Sequence, residues 1–407
     1  MTFRTMLLAT TVAAALALAG AAGAQQGKQP VNVKIGVLND RSGLYADLSG
    51  EGSVVAARMA VEDFKAKDKG INVEIVSADH QNKPDVGSNI ARQWYDQENV
   101  DAIVDVPTSS VALAVNQITR EKNKIFLNSG AASSDLTGKA CSPNTIHWTY
   151  DTTALANGTG RAMVKAGGDT WFFLTADYAF GHALERDATE VIKQAGGKVL
   201  GSVRHPFPGQ DFSSFLLQAQ ASGAKVIGLA NAGGDTINSI KQAAEFGITK
   251  GGKQKLGGLL VFITDVNALG LQTANGLVLT EAFYWDANDQ TRQWSQRFAK
   301  AHNGNMPSMV QAGVYSAVTH YLKAIEAVGS DDPKAVMAKM KEMPTDDPVL
   351  GKGQVRQDGR KMHSMYLFEV KKPEESKGKW DYYKLIATIP AEQAFGPLSG
   401  ECSLVKK

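Results

Sequence analysis

From residue 31 onward, the spacing of hydrophobic residues along the chain switches repeatedly between two patterns. Short apolar runs, typical of buried strands, are followed by longer stretches with apolar residues every three or four positions, which are typical of amphipathic helices. The predicted strands of this first series are 31–38, 72–77, 102–106 and 124–128, and the helices between them are 51–67, 84–97 and 111–121. Alternation of this kind predicts a parallel sheet with helices on both faces.

A second series of the same kind follows the segment 141–150. Its predicted elements are helix 153–166, strand 171–175, helix 182–195, strand 198–203, helix 212–222, strand 226–230, helix 235–246 and strand 259–264. The rest of the chain contains a strand at 276–280, helices at 291–302, 310–328 and 333–343, and strands at 365–370 and 381–389. We therefore expect two similar α/β lobes, onto which this remainder packs without forming a third domain.

The first residues have the pattern of a secretory signal peptide. Arg4 precedes an apolar run at 6–19, and small residues follow it at 22–24. We predict that residues 1–24 are a signal peptide, cleaved after Ala24, and that the mature chain is exported. The alternative is an uncleaved anchor, although the apolar run is shorter than the roughly 18 residues of a spanning helix.

Charge and cysteine content narrow the function classes. Lysine and arginine (43) nearly balance aspartate and glutamate (41), and the charges are dispersed, so we expect no nucleic-acid partner. The two cysteines, Cys141 and Cys402, are expected to form one disulfide in an oxidising compartment. The alternatives are two free thiols or a metal pair, but no cluster of Cys and His at ligand spacing accompanies them.

Motifs of enzyme and cofactor chemistry are absent from the sequence. No G-x-G-x-x-G follows a predicted strand, and neither H-E-x-x-H nor G-x-S-x-G occurs. The segment 247–253 has the glycine and lysine spacing of a P-loop, but Gln254 replaces its Ser or Thr and a helix precedes it. We expect no cofactor, no metal and no catalytic residue.

Small hydroxyl residues follow two neighbouring predicted strands. Thr108, Ser109 and Ser110 come after the strand 102–106, and the loop 129–134 follows the strand 124–128. Ligands of parallel sheets bind beyond the carboxyl ends of the strands, where helix N-termini and serine hydroxyls donate hydrogen bonds to anions. Two such ends together favour a carboxylate site, and the alternative is that Ser109 and Ser134 only cap helices.

In several segments the sequence resembles the type I periplasmic binding proteins of ABC importers, specifically the leucine/isoleucine/valine-binding family. These are the opening strand and loop at 35–43 (IGVLNDRSG), the PTSS of 107–110, the SGAAS of 129–133, the DYAFG of 177–181 and the order of the late segments. The likeness covers nearly the whole mature chain. It implies two lobes joined by three crossing strands, with a cleft that closes over a ligand.

The resemblance also implies domain boundaries. Lobe one would comprise residues 31–150 plus 283–344, and lobe two would comprise 151–282 plus 345–390. Residues 391–407 would form a C-terminal tail that carries Cys402 back to Cys141. Closing so long a loop is worth on the order of 5 kcal/mol in the chain-entropy description.

The resemblance also implies which residues bind the ligand. Ser110 and Ser133 would hold the ligand carboxylate, and the carbonyl oxygen of Ala131 would accept a hydrogen bond from a ligand ammonium group. Where amino-acid binders often have a tyrosine before the glycine of the second-lobe turn, this chain has Phe180, and Asp265 stands where a longer glutamate is expected. Asp265 is equally consistent with a helix cap. The full set of expected ligand-binding residues is Ser42, Tyr45, Ser109, Ser110, Ala131, Ala132, Ser133, Tyr150, Tyr178, Phe180, Asn231 and Asp265.

The departures at Phe180 and Asp265 affect the expected ligand. Tyr45, Trp148, Tyr150, Tyr178 and Phe180 are able to form an aromatic wall, so an aromatic carboxylate competes with a branched-chain amino acid. We expect a monomeric, non-catalytic periplasmic receptor that hands a small carboxylate to a permease in the inner membrane. The alternatives are an exported serine hydrolase, which lacks a placed His and acid partner, and a ligand-sensing receptor domain.

Overall fold

The computed structural model describes residues 30–405, and the predicted signal peptide lies outside these described residues. Two parallel sheets, each with its own helices, form the body of the chain, and a third, antiparallel sheet is built from later segments. We call the first sheet with its helices the first lobe and the second sheet with its helices the second lobe. The predicted α/β fold class is confirmed.

The first lobe contains a five-stranded parallel sheet in the order β2-β1-β3-β4-β5. Its strands are β1 (Val31–Asn39), β2 (Ile71–Asp79), β3 (Ala102–Asp105), β4 (Ile125–Asn128) and β5 (Thr145–His147), and its helices are α1 (Gly50–Phe64), α2 (Pro84–Asp96) and α3 (Ser109–Glu121). Short 3-10 helices occupy Ala66–Lys69 and Ser134–Leu136. Sequence patterning missed β5, because three residues are too few to display a period.

The second lobe contains a four-stranded parallel sheet in the order β7-β6-β8-β9. Its strands are β6 (Thr170–Ala176), β7 (Lys198–His205), β8 (Val226–Ala230) and β9 (Lys255–Gly258). A π-helical stretch, Ala156–Gly160, joins α4 (Thr152–Leu155) to α5 (Arg161–Lys165), and the other helices are α6 (Ala179–Gln194), α7 (Ser213–Ala221), α8 (Gly234–Glu245), α9 (Ile263–Leu269) and α10 (Leu271–Ala274).

The predicted strand 259–264 is wrong, because the fourth strand of this sheet is β9, a few residues earlier. A Cβ on Gly257 would lie 3.0 Å from the ring of Trp171, closer than an ordinary contact, so a residue without a side chain is favoured where β9 passes that ring. The carboxylate of Asp265 accepts a hydrogen bond from the Phe262 N–H, which starts α9 at Ile263. The apolar run after β9 is therefore a buried loop and a helix start.

The later segments form a separate antiparallel sheet and a helical layer. The sheet comprises β10 (Val278–Glu281), β13 (Met365–Val370) and β14 (Tyr383–Ile389), and a hairpin comprises β11 (Gln354–Val355) and β12 (Lys361–Met362). The helices are α11 (Asp289–Ala301), α12 (Met309–Val328), α13 (Pro333–Glu342) and α14 (Ala391–Ala394), with a 3-10 turn at Pro373–Glu375. Helix α12 packs along α1, which attaches this layer to the first lobe.

The chain just after the hairpin of β11 and β12 lies against the segment that follows β5. The backbone of His147 pairs with that of Arg360, and the ring of His363 is 2.8 Å from the carbonyl oxygen of Thr149. The fully buried Arg360 donates from its guanidinium to the carbonyl of Tyr150 at 3.0 Å. These bonds fix the segment that carries Tyr150.

The predicted disulfide is confirmed: Cys141 and Cys402 are bonded, with Cα atoms 5.5 Å apart. The bond ties the end of the described chain to the first lobe. Within residues 30–405, no helix is both long and apolar enough to cross a membrane. The same residues contain no group of three or more His, Cys, Asp or Glu side chains arranged to hold a metal ion.

Candidate functional site

The two hydroxyl-rich strand ends lie side by side, as predicted. Strands β3 and β4 pair in parallel, with Asp105 opposite Asn128 at their carboxyl ends. Beyond them the Ser133 N–H donates to the Ser109 hydroxyl oxygen at 3.3 Å. Both serines are fully buried, so this contact joins the start of α3 to the loop after β4.

Helix α3 begins at Ser109, and Thr108 is its N-cap residue in an extended conformation. The first N–H groups of a helix have no partner within the helix and are available to an anion. Ser110 is half-buried in this first turn. The hydroxyl of Ser133 accepts from the Asp135 N–H at 3.4 Å, so Ser133 caps the short 3-10 helix that follows it.

A buried carboxylate shapes the loop that carries Tyr45. Asp40 accepts hydrogen bonds from the N–H groups of Gly43 at 2.7 Å and Tyr45 at 2.8 Å. The amide of Asn82 donates to the same carboxylate at 2.6 Å. Ser42 lies in this loop, but it is exposed and donates to Asp79 at 2.6 Å, away from the site.

A second buried carboxylate, Asp105, ends β3. One of its oxygens accepts from the Ser49 hydroxyl at 2.6 Å and from the Asn39 amide at 3.0 Å, while Oδ1 has no partner within the described residues. Burial raises the pKa of Asp105 to about 6. Asp105 and Val106 adopt positive φ angles of 80° and 56°, which turn the chain sharply before Pro107.

Between the lobes lies a narrow cavity of about 10 Å³, which is close to the smallest space that holds one water molecule. Its walls are apolar and aromatic, and the phenol groups of three tyrosines are its polar features. From the first lobe come Tyr45, Leu48, Pro107, Ala132 and Tyr150, and from the second lobe come Tyr178, Phe180, Ala232, Leu260 and Phe262. Walls of this composition are suited to a small, flat or branched apolar molecule, which would need the walls to lie further apart than they do here.

The aromatic side chains of the cavity contact one another across the cleft. The hydroxyl oxygens of Tyr45 and Tyr178 are 2.6 Å apart. The ring of Phe207 stacks on Tyr178 with centroids 3.9 Å apart. Tyr150 donates its hydroxyl hydrogen to the carbonyl of Gly130 at 2.6 Å, and its ring meets the edge of Phe262 at 6.2 Å.

Burial raises the pKa of all three cavity tyrosines well above the ordinary value for a phenol. For Tyr45 the proximity of Tyr178 adds to this effect. The hydroxyls of Tyr45, Tyr150 and Tyr178 are therefore neutral at physiological pH. They are able to donate hydrogen bonds, but they carry no charge that would compensate an ion.

The rim of the cleft is closed by direct contact between the lobes. The Gly234 N–H donates to the Leu44 carbonyl at 3.2 Å. Gly233, with φ of +55°, lies so close that a Cβ there would be 2.5 Å from the Leu44 oxygen and 2.8 Å from the Tyr45 ring. The absence of a side chain at this position is therefore required for the observed approach of the lobes.

A polar contact closes another edge of the cleft. Arg186, on α6, donates to Asp135 at 2.9 Å and to the Ser134 hydroxyl at 2.7 Å. The neighbouring Asp187 accepts from Ser134 at 2.7 Å and from Thr152 at 2.5 Å. Because α6 begins directly after Tyr178 and contains Phe180, this contact is built on the same helix as part of the cavity wall.

Three of the predicted ligand residues have other partners in this structure. The carbonyl oxygen of Ala131 accepts from the Asn128 amide and the His147 ring, both at 2.8 Å, which uses both of its lone pairs. Asn231 bonds to Ser239 at 3.0 Å and Thr236 at 2.7 Å beneath the site. Asp265 caps α9, although burial also raises its pKa to about 7.

The structure thus brings Tyr45, Ala132, Tyr150, Tyr178 and Phe180 together as cavity walls, and Ser133, next to Ala132 in sequence, is bonded to Ser109 at the start of α3. Sequence reasoning missed the following contributors: Leu48, Pro107, Phe207, Ala232, Leu260 and Phe262. Pro107 and Ala232 each lie two residues beyond the end of a strand, β3 and β8, and this position is the signal that would have pointed to them. The others are ordinary apolar residues, which local pattern does not separate from core.

Buried Asp235 was also missed. Its Oδ1 accepts from the Gly209 N–H at 3.0 Å, and its Oδ2 has no hydrogen-bond partner within the described residues. Burial raises the pKa of Asp235 to about 7. Through Gly209 it holds the loop that presents Phe207 to Tyr178.

Comparison with known proteins agrees with this architecture. A family described as periplasmic binding protein matches residues 32–379. A periplasmic binding protein from Burkholderia mallei has 55% sequence identity and a TM-score of 0.89, covering 92% of this chain and 99% of that chain. A branched chain amino acid ABC transporter periplasmic ligand-binding protein from Burkholderia xenovorans has 43% identity and a TM-score of 0.80, covering 91% of this chain and 100% of that chain.

More distant relatives share the architecture. The Leu/Ile/Val-binding protein homolog 6 of Brucella melitensis is 29% identical over 356 residues, which is 84% of this chain and 88% of the relative. A solute binding protein of an ABC transporter from R. palustris, in complex with 4-hydroxybenzoate, shares the fold with 23% identity and a TM-score of 0.80, covering 89% of this chain and 98% of that chain. Members of the matched family are substrate-binding components of transporters, not enzymes. This chain belongs to the periplasmic binding protein family, with the type I fold and with Leu/Ile/Val-binding protein homologues among its relatives.

Proposed function

We propose that this chain is the solute receptor of an ABC importer, that it encloses one small apolar carboxylate between its lobes, and that it delivers this ligand to a membrane permease. The first ligand candidate is an aromatic carboxylate. The second is a branched-chain amino acid. We also expect residues 1–24 to act as a signal peptide that directs export and is cleaved after Ala24.

The composition of the cavity wall carries the proposal. Aromatic rings from both lobes line a space of only about 10 Å³ in this structure, so a ligand would enter with the lobes further apart, and the apolar rings would then favour a small ring over a long or strongly polar molecule. The ring centroids of Tyr150 and Phe262 are 6.2 Å apart in an edge-to-face arrangement, and those of Tyr178 and Phe180 are 5.9 Å apart. A ligand ring bound here would therefore contact both the faces and the edges of aromatic side chains.

The neighbouring strand ends support a carboxylate as the polar group of the ligand. Pro107 and Ala132 line the cavity and are adjacent in sequence to the start of α3 and to Ser133. The free N–H groups and the positive end of α3 favour an anion there. We assign the role of additional donors to Ser110 and Ser133, each through its hydroxyl hydrogen.

The branched-chain amino acid is the second candidate, because the relative with 43% identity is a branched chain amino acid ABC transporter protein. Its ammonium group would need an acceptor. The carbonyl of Ala131 already accepts two hydrogen bonds, and Asp265 already accepts one from Phe262. A ligand without an ammonium group needs neither of these acceptors, which is why we rank the aromatic acid first.

The division into lobes belongs to the same proposal. We assign residues 31–150 and 283–344 to the first lobe, as the packing of α12 on α1 supports. The hairpin of β11 and β12 packs on α13 and pairs with His147 through Arg360. We therefore extend the first lobe through this hairpin, and we assign residues 151–282 together with β13 and β14 to the second lobe.

A thermal-shift screen followed by calorimetric titration tests the ligand. Benzoate and leucine are compared, with benzamide as a control that keeps the ring but lacks the charge. A ligand at 100 times its dissociation constant adds about 2.7 kcal/mol to the free energy of unfolding. We expect stabilisation by benzoate, none by benzamide, and a more compact particle in X-ray scattering when benzoate is bound.

Other outcomes would change the assignment in defined ways. Stabilisation by leucine but not by benzoate would select the branched-chain candidate. Equal stabilisation by benzoate and benzamide would remove the carboxylate site. Chemical conversion of the bound molecule during prolonged incubation would contradict a receptor and favour the hydrolase.

A further inference from the structure

A second cavity lies at the end of the second lobe that is remote from the interlobe cleft. Its volume is about 800 Å³, and volumes of about 300–1,000 Å³ are usual for small-molecule sites. It is lined by the first residues of β8 and β9, whereas the cleft is lined by residues that follow the carboxyl ends of these strands. The two cavities therefore lie at opposite ends of one parallel sheet. We call the second one the basal cavity.

The basal cavity lies where the two sheets of the second lobe do not join. Within residues 30–405, β9 is an end strand of the parallel sheet and pairs only with β8, and β10 is an end strand of the antiparallel sheet and pairs only with β13. Leu256 on β9 and Val278 on β10 both line the cavity, so these two sheet ends form opposite parts of its wall. The glycine-rich segment 247–253, which has the spacing of a P-loop, contributes to its border.

Apolar side chains form the walls of the basal cavity, and several of them are incompletely buried. Wall residues come from α5, β8, β9, the approach to β10, β13 and β14: Met163, Val226, Leu256, Leu277, Leu367 and Ile386. Met163, Leu256 and Leu277 are only partly buried, and Ile386 is 46% exposed. An apolar ligand would remove this surface from water, which is favourable. The walls therefore favour a ligand with an apolar body.

Four charged residues line the basal cavity, and two of them are neutralised by nearby partners. Lys225 pairs with Asp169, with Nζ and Oδ1 2.9 Å apart. Glu369 pairs with Lys384, with Oε1 and Nζ 3.2 Å apart. Among the described lining residues Glu369 is the only carboxylate, so its pairing leaves no free negative charge at the cavity.

The other two charged residues of the lining are Lys253 and Lys255, and neither has an ion-pair partner within the described chain. Between them, Gln254 is buried, and its amide donates to the carbonyl of Ala224 at 2.9 Å. The N–H of Lys255 donates to the carbonyl of Lys225 at 2.8 Å. These bonds fix the segment that carries the two lysines. Two ammonium groups beside apolar walls attract an anion that has an apolar body.

We infer that the basal cavity is a second ligand site of this protein and that it binds an amphipathic anion of the medium-chain carboxylate class. The apolar chain would lie against the walls, and the charged group would lie near Lys253 and Lys255. None of the described residues lines both this cavity and the interlobe cleft, so the two sites are independent. The inference therefore goes beyond the proposed function and does not rest on it.

Calorimetric titration with octanoate, octanol and butyrate tests the inference. Octanol keeps the chain without the charge, and butyrate keeps the charge with a shorter chain. We expect octanoate to bind about a hundredfold more tightly than butyrate, because four more methylenes are buried. We expect it to bind about twofold to fivefold more tightly than octanol, because the two lysines are exposed and solvent screens their charge.

Substitutions in the lining locate the binding. Ile386→Glu places a carboxylate in the apolar wall at a half-exposed position, and octanoate should bind about tenfold more weakly or worse. Leu385→Glu is the matched control, since Leu385 is 55% exposed and does not line the cavity. Lys253→Gln combined with Lys255→Gln should abolish the preference for octanoate over octanol. Lys250→Gln, in the same turn but outside the lining, should preserve it.

Thermal unfolding of each ligand-free variant verifies that the substitution has not altered the fold. Equal affinity for octanoate in Ile386→Glu and Leu385→Glu overturns the inference, because octanoate then binds elsewhere, the interlobe cleft included. Octanoate that binds no more tightly than butyrate overturns it as well. Either result leaves the proposed function intact, since that function is tested with benzoate and leucine, whose affinities should be the same in Ile386→Glu and in the wild type.

Discussion

The two lobes contribute different chemistry to the same cavity. The first lobe presents strand ends with small residues, a helix start and two buried carboxylates that shape loops, Asp40 and Asp105. The second lobe presents aromatic rings: Tyr178 and Phe180 at the start of α6, and Phe207 on the loop after β7. The first lobe is suited to bind an anion, and the second lobe is suited to select an apolar group by its shape.

This difference separates affinity from selectivity. A carboxylate is common to every candidate ligand, so a lobe that binds it through backbone N–H groups and serines discriminates little among ligands. In the proposed complex, the rings of Tyr178, Phe180 and Phe207 in the second lobe would contact the part of the ligand that varies, together with Tyr45 and Tyr150 from the first-lobe side. We therefore expect changes in the first lobe to weaken all ligands alike, and changes in the second lobe to reorder them.

Contact between the lobes is the feature whose loss should have the largest effect. In Gly233→Ala the new Cβ would lie 2.5 Å from the Leu44 oxygen when the cleft is closed, and the φ of +55° disfavours any side chain. We expect the affinity for every ligand to fall by about a hundredfold or more, equivalent to about 3 kcal/mol. Titration calorimetry measures the loss.

Gly223→Ala is the matched control, since Gly223 also has a positive φ, +69°, but nothing lies within 4 Å of its added Cβ. That variant should lose stability and keep its affinity. An unchanged dissociation constant in Gly233→Ala would mean that the approach of Gly233 to Leu44 is not part of the ligand-bound state.

Buried carboxyls in the two lobes should respond to different pH windows. Burial raises the pKa of Asp105 to about 6, whereas an unfolded chain ionises aspartate near pH 3.9. The folded state binds this proton more tightly, so its stabilising contribution is complete below about pH 4 and is lost as the pH rises through 6. The loss is on the order of 3 kcal/mol for Asp105.

For Asp235 in the second lobe, burial raises the pKa to about 7, so its contribution is lost at a higher pH. Denaturant unfolding at several pH values tests both groups. Asp105→Asn should remove the part of the decline between about pH 4 and 6, and Asp235→Asn should reduce the decline that extends to about pH 7. Identical pH profiles for the wild type and both variants would show that neither carboxyl titrates in these windows.

Replacing Ser110 in the first lobe should have the next largest effect on ligand affinity. Ser110→Ala would remove the charge-assisted hydrogen bond to the ligand carboxylate that we propose, worth roughly 1.5 to 3 kcal/mol, so affinity should weaken about tenfold to a hundredfold. Stability should change little, because Thr108 and not Ser110 is the N-cap of α3. Benzoate and leucine should be weakened equally if the first lobe does not discriminate between ligands.

Ser133→Ala should weaken binding as well, but it also removes the cap of the 3-10 helix Ser134–Leu136 and should cost about 1 kcal/mol of stability. The two affinity losses need not add, since both hydroxyls would hold one carboxylate. Unchanged dissociation constants in both variants would remove the serines from the site.

The first lobe was easier to predict from sequence than the second. Its strand ends carry polar residues at fixed places, and parallel pairing necessarily brings the ends of β3 and β4 together. The disulfide was predictable because the chain has only two cysteines. By contrast, the cavity residues Leu260 and Phe262 are apolar residues in an apolar run, and whether such residues face a core or a cavity depends on tertiary packing.

Two site predictions depended on contacts that local pattern does not encode. The carbonyl of Ala131 is occupied because the strand β5, three residues long, carries His147 to it. Asp265 occupies the third position of α9, where its carboxylate bonds to the Phe262 N–H. The pair of Tyr45 and Tyr178 joins residues from different lobes, and sequence separation gave no indication of their contact.

The polar contact between Arg186 and the loop after β4 should have the smallest effect. It joins the lobes through Asp135 at 2.9 Å, but the Arg186 side chain is 49% exposed, so solvent screens the pair. Arg186→Met removes the charge and keeps much of the packing, and we expect the dissociation constant to rise by only about threefold for all ligands.

Added salt should weaken binding less in this variant than in the wild type, because screening acts on a pair that the variant lacks. Arg204→Met is the matched control: Arg204 faces Asp177 at 3.7 Å within the second lobe and does not reach the first. Titration at low and high salt distinguishes the two arginines. If Arg186→Met and Arg204→Met have the same affinity and salt dependence, the contact between Arg186 and Asp135 does not contribute to closure, and the cavity contacts with Gly233 and Leu44 hold the lobes together without it.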